Sequence, residues 1–132
     1  MNQLGLKLKG ANVCVMGYSY LEDSDDTRNS PSLELVAQLK AAEAEVVIHD
    51  PFVPDFAIPI AEALAKAEII ILMVNHSLYK ELPDVEWLKL TSKAKILIDG
   101  RNCLRDSLKE ATRESGQILH TLGISPILKQ KQ

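Results

Sequence analysis

Residues 12–39 read NVCVMGYSYLEDSDDTRNSPSLELVAQL, and this stretch decides the fold. It begins with a short apolar run, 13–16, and continues into a long acidic loop opened by Gly17. It ends in a clear helix start, because Ser30-Pro31 places a capping hydroxyl before a proline at the first helical position. Leu35, Val36, Leu39 and Ala42 then share one helical face, with Glu34, Gln38 and Glu45 outside it. A buried run, a loop and an amphipathic helix form the first half of a strand–helix–strand unit.

The pattern repeats along the chain. Residues 46–48, 69–74 and 96–98 are further continuous runs rich in β-branched residues, and 117–120 is a weaker fifth. None alternates with polar residues, as expected of parallel strands covered on both faces. Helical patterns separate them: an alanine-rich helix from Pro59 through Lys66, a segment 85–90 capped by Asp84, and a helix marked by Leu104, Leu108 and Ala111 before Gly116. Alternating strands and helices predict a Rossmann-like doubly wound α/β domain. With right-handed crossovers, the expected architecture is three-layer α/β/α around a five-stranded parallel sheet in the order 3-2-1-4-5. Residues 1–124 are expected to form this one domain and 125–132, with Lys129 and Lys131, a flexible tail.

The chain has 132 residues, 46% hydrophobic and 25% charged, with a net charge of −3. That is enough for a true core, and the negative balance favours neither nucleic acid nor an anionic membrane. No run reaches membrane-spanning length and no signal peptide is evident, so a cytoplasmic protein is expected. Cys14 and Cys103 are too few for a disulfide framework, and Cys14 sits inside the first apolar run, so reduced thiols are expected.

In such sheets ligands bind beyond the carboxyl ends of the strands. Those ends carry Gly17 to Asn29, then His49-Asp50-Pro51, Asn75-His76-Ser77, and Asp99-Gly100-Arg101-Asn102. A dinucleotide fingerprint would need glycines two and five positions after Gly17, where Ser19 and Glu22 stand. Glu22, Asp23, Asp25 and Asp26 against the single cation Arg28 would also repel phosphate. Asp50 stands where a ribose-binding acid often sits, but Asp-Pro is also a common turn. Dinucleotide binding by this domain is disfavoured.

Taken together, the loop 17–31, His49-Asp50-Pro51 and Asp99-Gly100-Arg101-Asn102 resemble the C-terminal domain of the UDP-glucose/GDP-mannose dehydrogenases. The loop of that family reads approximately G-L-x-F-K-x-x-x-D-D-x-R-x-S-P. Gly17, Tyr20 (for Phe), Asp25, Asp26, Arg28, Ser30 and Pro31 keep its spacing, Asp50-Pro51 is similar to its Y-D-P, and Asp99-Gly100-Arg101 to its D-G-R. The likeness runs from about Leu8 to Gly123. It implies the nucleotide-sugar-binding third of a three-domain enzyme that oxidises a sugar C6 alcohol to a carboxylate in two NAD-dependent steps. The implied partners are a UDP-sugar and the N-terminal NAD-binding and central domains, in a complete enzyme that is a homo-oligomer. NAD would belong to those other domains, and the catalytic cysteine would precede this one; neither Cys14 nor Cys103 matches it.

By this resemblance Tyr20, Leu21 and Arg101 are the substrate-binding candidates. Tyr20 either offers stacking area to the nucleotide sugar or plugs the base of the loop. Leu21 replaces a substrate-contacting lysine and cannot donate a hydrogen bond. Arg101 offers a guanidinium fork to diphosphate or sugar oxygens, from a fourth strand expected beside the first, or else it pairs with Asp99 or Asp26. Asp25, Asp26 and Arg28 read as loop scaffold, the carboxylates capping turn amides and the arginine bridging them. His49, His76 and His120 all fall near strand ends, but no H-x-H or H-x-x-x-H spacing supports zinc, and no metal is expected. Trp87 reads as a helix-to-sheet core contact. The alternative from a different class is a stand-alone Rossmann-like binding or interaction module without an enzymatic role, consistent with Leu21.

Overall fold

The computed structural model describes residues 8–19, 30–74, 76–100 and 104–121. Five strands, β1 (Asn12–Met16), β2 (Glu45–His49), β3 (Ile69–Leu72), β4 (Ile96–Asp99) and β5 (Ile118–Thr121), form one wholly parallel sheet. The five-stranded, doubly wound α/β class is as expected. The strand order is β2-β1-β3-β4-β5, not 3-2-1-4-5, because β3 lies between β1 and β4.

Burial explains the placement. All four residues of β3 are buried, as only an interior strand allows, and its run is the longest apolar one in the chain. In β2, Glu45 and Val47 are exposed, as suits the edge. The expected order would have stranded the most apolar run at the rim.

Alternate residues of the strands feed two cores. Val13, Val15, Ile69 and Ile71 pack with Leu35, Val36 and Leu39 of α1 (Pro31–Ala41). Cys14, Met16, Ile70 and Leu72 face the other way. They meet Leu64 of α2 (Ile60–Leu64), Tyr79 of α3 (Ser77–Lys80), Trp87 of α4 (Asp84–Leu90) and Leu108 of α5 (Asp106–Glu114). The division follows from handedness. The step from β1 to β2 runs one way across the sheet and every later step runs the other way. Right-handed crossovers therefore place α1 on one face and α2 to α5 on the opposite one.

Ser30 caps α1 as its sequence indicates, its hydroxyl accepting from the Ser32 amide at 3.1 Å, with Pro31 in the first turn. Asp84 does not cap 85–90. It is the first residue of α4, preceded by Pro83, and its carboxylate accepts from Arg105 Nε at 2.6 Å. That guanidinium also donates to the carbonyls of Lys80 and Leu82, joining the start of α5 to the α3–α4 connection. Two further elements, α3 and a 3-10 turn at Pro54–Phe56, carry no strong apolar period from which the sequence would predict them. The tail expected from residue 125 lies outside the described residues. No helix among the described residues is long and apolar enough to cross a membrane.

Candidate functional site

The chain reverses its direction across the sheet between β1 and β3, which makes their carboxyl ends the switch point where a crevice forms. Gly17 follows β1 at this point with φ +94°. A Cβ there would sit 2.6 Å from both the nitrogen and the Cβ of Val74. The glycine is required by this close approach of two strand ends, and the Met73 amide seals it by donating to the Met16 carbonyl at 2.8 Å.

Most main-chain polar groups at the exit of β1 are bonded inside the protein. The Gly17 amide donates to the His49 carbonyl at 2.7 Å. The amides of Tyr18 and Ser19 donate to one oxygen of Asp50, at 2.7 and 2.9 Å. Ser32 Oγ donates to the Gly17 carbonyl at 2.8 Å, and Ser30 Oγ to that of Ser19 at 3.4 Å. Asp50 also accepts from the Phe52 amide at 2.8 Å and lies 3.0 Å from His76 Nε2. Asp50, His76 and Ser19 are all completely buried.

Burial by itself would push the Asp50 carboxyl up, but the hydrogen bonds from His76 and from the Ser19, Tyr18 and Phe52 amides outweigh it and hold it at about 2. Because a carboxylate only accepts, His76 Nε2 carries a proton directed at Asp50. Ser19 Oγ approaches that same nitrogen, at 3.3 Å. A nucleophilic Ser–His–Asp relay needs the serine and the acid on different ring nitrogens, so the three residues do not form one.

A second buried pair lies beneath. The Tyr79 hydroxyl sits 2.7 Å from His49 Nδ1 and donates to the His49 carbonyl at 3.0 Å. Burial pulls the His49 imidazole below its ordinary value, outweighing the raising effects of the Ile58 carbonyl and the Asp50 charge. Phe52 covers the cluster from outside, its ring 5.0 Å from that of His76, while Tyr18 packs edge-on to Phe56 at 4.9 Å.

At the neighbouring strand end, buried Asp99 accepts the Leu104 amide at 2.8 Å, and Gly100 donates to the Leu72 carbonyl at 2.9 Å. Since β3 separates β4 from β1, the β4 end at Gly100 lies two strand spacings, roughly 10 Å, from the β1 end, not beside it as expected. Tyr20, Leu21, Asp25, Asp26, Arg28 and Arg101 themselves lie outside the described residues, as do Asn75, Asn102 and Cys103. The structure does describe their anchors: Ser19 and Ser30 bound the loop, and Gly100 precedes Arg101. Cys14 is buried, and burial pushes its thiol up to about 12, which leaves it unreactive at neutral pH. Trp87 is a core residue, as expected.

The histidines separate. His49 and His76 belong to the buried network, whereas His120 lies on β5 at the opposite edge of the sheet from β2. No group of three or more possible metal ligands occurs among the described residues. A cavity of about 310 Å³ lies away from the crevice, beside β1 and α2, bounded by Asn12, Cys14, Val47 and Ala63.

Sequence reasoning missed the joint role of Ser19, Asp50 and His76. The signal was present, a polar residue at each of three consecutive strand ends, but which of their atoms meet is decided by how those ends pack.

The parallel sheet, with its switch point at the ends of β1 and β3, defines a Rossmann-like α/β domain. The chain belongs to the UDP-glucose/GDP-mannose dehydrogenase family, whose UDP binding domain matches residues 14–106. The UDP-N-acetyl-D-mannosamine dehydrogenase of Pyrococcus horikoshii is 30% identical over 108 residues, 80% of this chain and 25% of that protein. A UDP-glucose 6-dehydrogenase of Rhizobium meliloti is 29% identical over 111 residues, 76% of this chain and 25% of that protein. The crystal structure of an NDP-N-acetyl-D-galactosaminuronic acid dehydrogenase from Methanosarcina mazei matches with a TM-score of 0.78 and 30% identity, covering 92% of this chain and 26% of that one. The chain thus spans about a quarter of the length of the relatives it matches.

Proposed function

We infer that this chain is the nucleotide-sugar-binding part of an NAD-dependent dehydrogenase that oxidises the C6 alcohol of a UDP-sugar to a carboxylate. The observation that carries this reading is the family match across residues 14–106, which spans β1 through the start of α5 and includes every strand end that borders the crevice. UDP-glucose and UDP-N-acetylmannosamine are the ligand classes, since both kinds of dehydrogenase occur among the relatives. NAD and the nucleophilic cysteine belong to domains outside this chain, in a cytoplasmic homo-oligomer. This domain holds neither NAD nor a metal, and turns nothing over by itself. Tyr20, Leu21 and Arg101 contact the sugar nucleotide, while Asp25, Asp26 and Arg28 hold the loop. Residues 1–124 are the domain and 125–132 its tail.

The test is titration of the chain with both UDP-sugars, followed by amide NMR shifts so that millimolar affinities register. Binding of at least one, with no NADH produced when NAD is added, is the expected result. Sustained NADH production, or binding of neither sugar, overturns the reading. In Arg101→Ala, loss of a charge-assisted hydrogen bond worth about 1.5–3 kcal/mol should weaken binding roughly ten- to a hundredfold. Arg101→Lys should recover part of it. Unchanged affinity in a folded Arg101→Ala protein removes the residue from the site.

Leu21 favours a second reading, a binding or interaction module without an enzymatic role, because leucine cannot make the contact of the family's lysine. An adjacent reading frame with G-x-G-x-x-G and a catalytic cysteine would decide for the enzyme.

A further inference from the structure

In α/β domains, the turn after the first strand is where main-chain amides converge on a ligand's phosphate. Here the amides do converge, but their target is already inside the protein. Tyr18 N and Ser19 N point at one oxygen of Asp50, 2.7 and 2.9 Å away. His76 Nε2 approaches that oxygen at 3.0 Å, and Phe52 N approaches the other at 2.8 Å. Four donors from the ends of three strands surround two oxygens that have no access to solvent. This is the coordination of a bound anion, and the group that supplies it is tethered to the chain.

We propose that the turn after β1 is a carboxylate-binding site whose permanent occupant is Asp50, and that this occupancy keeps ligand phosphates out of the turn. Three observations support it. Phe52 N is a local donor two residues along, but Tyr18 N, Ser19 N and His76 Nε2 are remote from Asp50 in sequence, so the site is a product of the fold and not of one local turn. Gly17, which in a phosphate-binding turn gives the ligand room, here has its space filled by Val74. Asp50, placed where an acid could hold a ribose hydroxyl, has both oxygens engaged by protein donors. The turn is therefore built like a phosphate site and closed from within. If the crevice is read as a UDP-sugar site, a point that rests on the proposed function, the diphosphate is held outside this turn.

The proposal predicts size-matched chemical rescue in the intact chain. Asp50→Ala removes one carboxylate and leaves a hole the size of formate. Asp50→Gly removes one carbon more and leaves room for acetate. Melting temperatures are measured near neutral pH in formate, acetate or chloride at equal ionic strength, and the wild-type response is subtracted. Both variants should melt well below wild type in chloride. Formate should then raise Asp50→Ala more than acetate does, acetate should raise Asp50→Gly more than formate does, and both shifts should grow with anion concentration as ligand linkage requires. If a variant is unfolded in chloride, recovery of far-UV circular dichroism on adding the matched anion is the same expected result. Equal responses to all three salts, or a wild-type response as large as the variants', overturn the proposal. Because no nucleotide enters the measurement, its failure leaves the UDP-sugar reading where it stood, and failure of that reading leaves the anion site intact.

Discussion

The two ends of the sheet are constructed differently. At the carboxyl end, β1, β2 and β3 are tied by buried side chains: Asp50, His76, and His49 with Tyr79. At the amino end the strands are joined largely by main-chain bonds, Glu45 N to Ala11 O, Glu68 N to Asn12 O and Lys95 N to Glu68 O. The left-handed residues show the same contrast. Gly17 is closed in by Val74, whereas at Gly10, with φ +78°, a side-chain methyl would meet nothing within 4 Å. Glu43 adopts φ 65° in the turn after α1, where glycine is the usual choice. The lesson is one of tolerance. Buried polar networks hold only when every member is satisfied, while main-chain ladders and open turns accept most side chains.

The largest expected effect is therefore at Asp50. Asp50→Ala leaves His76 and three amides facing an uncompensated hole, and each buried donor left unsatisfied costs about 1–3 kcal/mol. Urea unfolding measures it, and a loss below about 1 kcal/mol, the range of an exposed pair, would erase the contrast between the two ends. Gly17→Ala comes next. The left-handed backbone costs an L-residue about 1–2 kcal/mol, and the overlap with Val74 main-chain atoms adds to it.

Acid should separate the ends further. Asp50 is held at about 2 against an ordinary 3.8, so its contribution of about 2 kcal/mol is complete above pH 3.8 and disappears as pH falls through 2. His49 adds to this at higher pH. Its lowered value means that the unfolded chain takes up a proton first, so stability starts to fall below roughly pH 6.5. Urea midpoints across this range check both limbs, and Asp50→Asn should flatten the lower one. The smallest effect has the opposite sign. Glu43 N bonds to Lys40 O and Ala44 N to Leu39 O, the closing pair of a helix-ending turn. Glu43→Gly relieves the left-handed penalty there and should stabilise the fold by about 1 kcal/mol, again read from the urea midpoint.

The local features are legible in the sequence because their causes are local. Continuous β-branched runs mark strands buried on both faces, and Ser30-Pro31 marks the start of α1. The family motifs lie at strand ends for the same reason. The position of β3 is not legible in this way, although its unbroken burial is foreshadowed by the longest apolar run. Strand order is a choice among crossovers of equal handedness, and it is settled by which run gains most from being covered on both sides. For Asp50 the sequence allows a turn residue or a ribose acid, and its buried donors close only the second of these roles to it.

The sequence alone was enough for the class of fold, the start of α1, and the family to which the strand-end motifs belong. All of these follow from residues within a turn or a strand of one another. Tertiary structure alone decided that β3 divides β1 from β4, that Gly17 exists for Val74, and that Asp50 captures the amides of Tyr18 and Ser19. Those outcomes require residues some thirty to sixty positions apart to meet, and only the packing of the sheet brings them together.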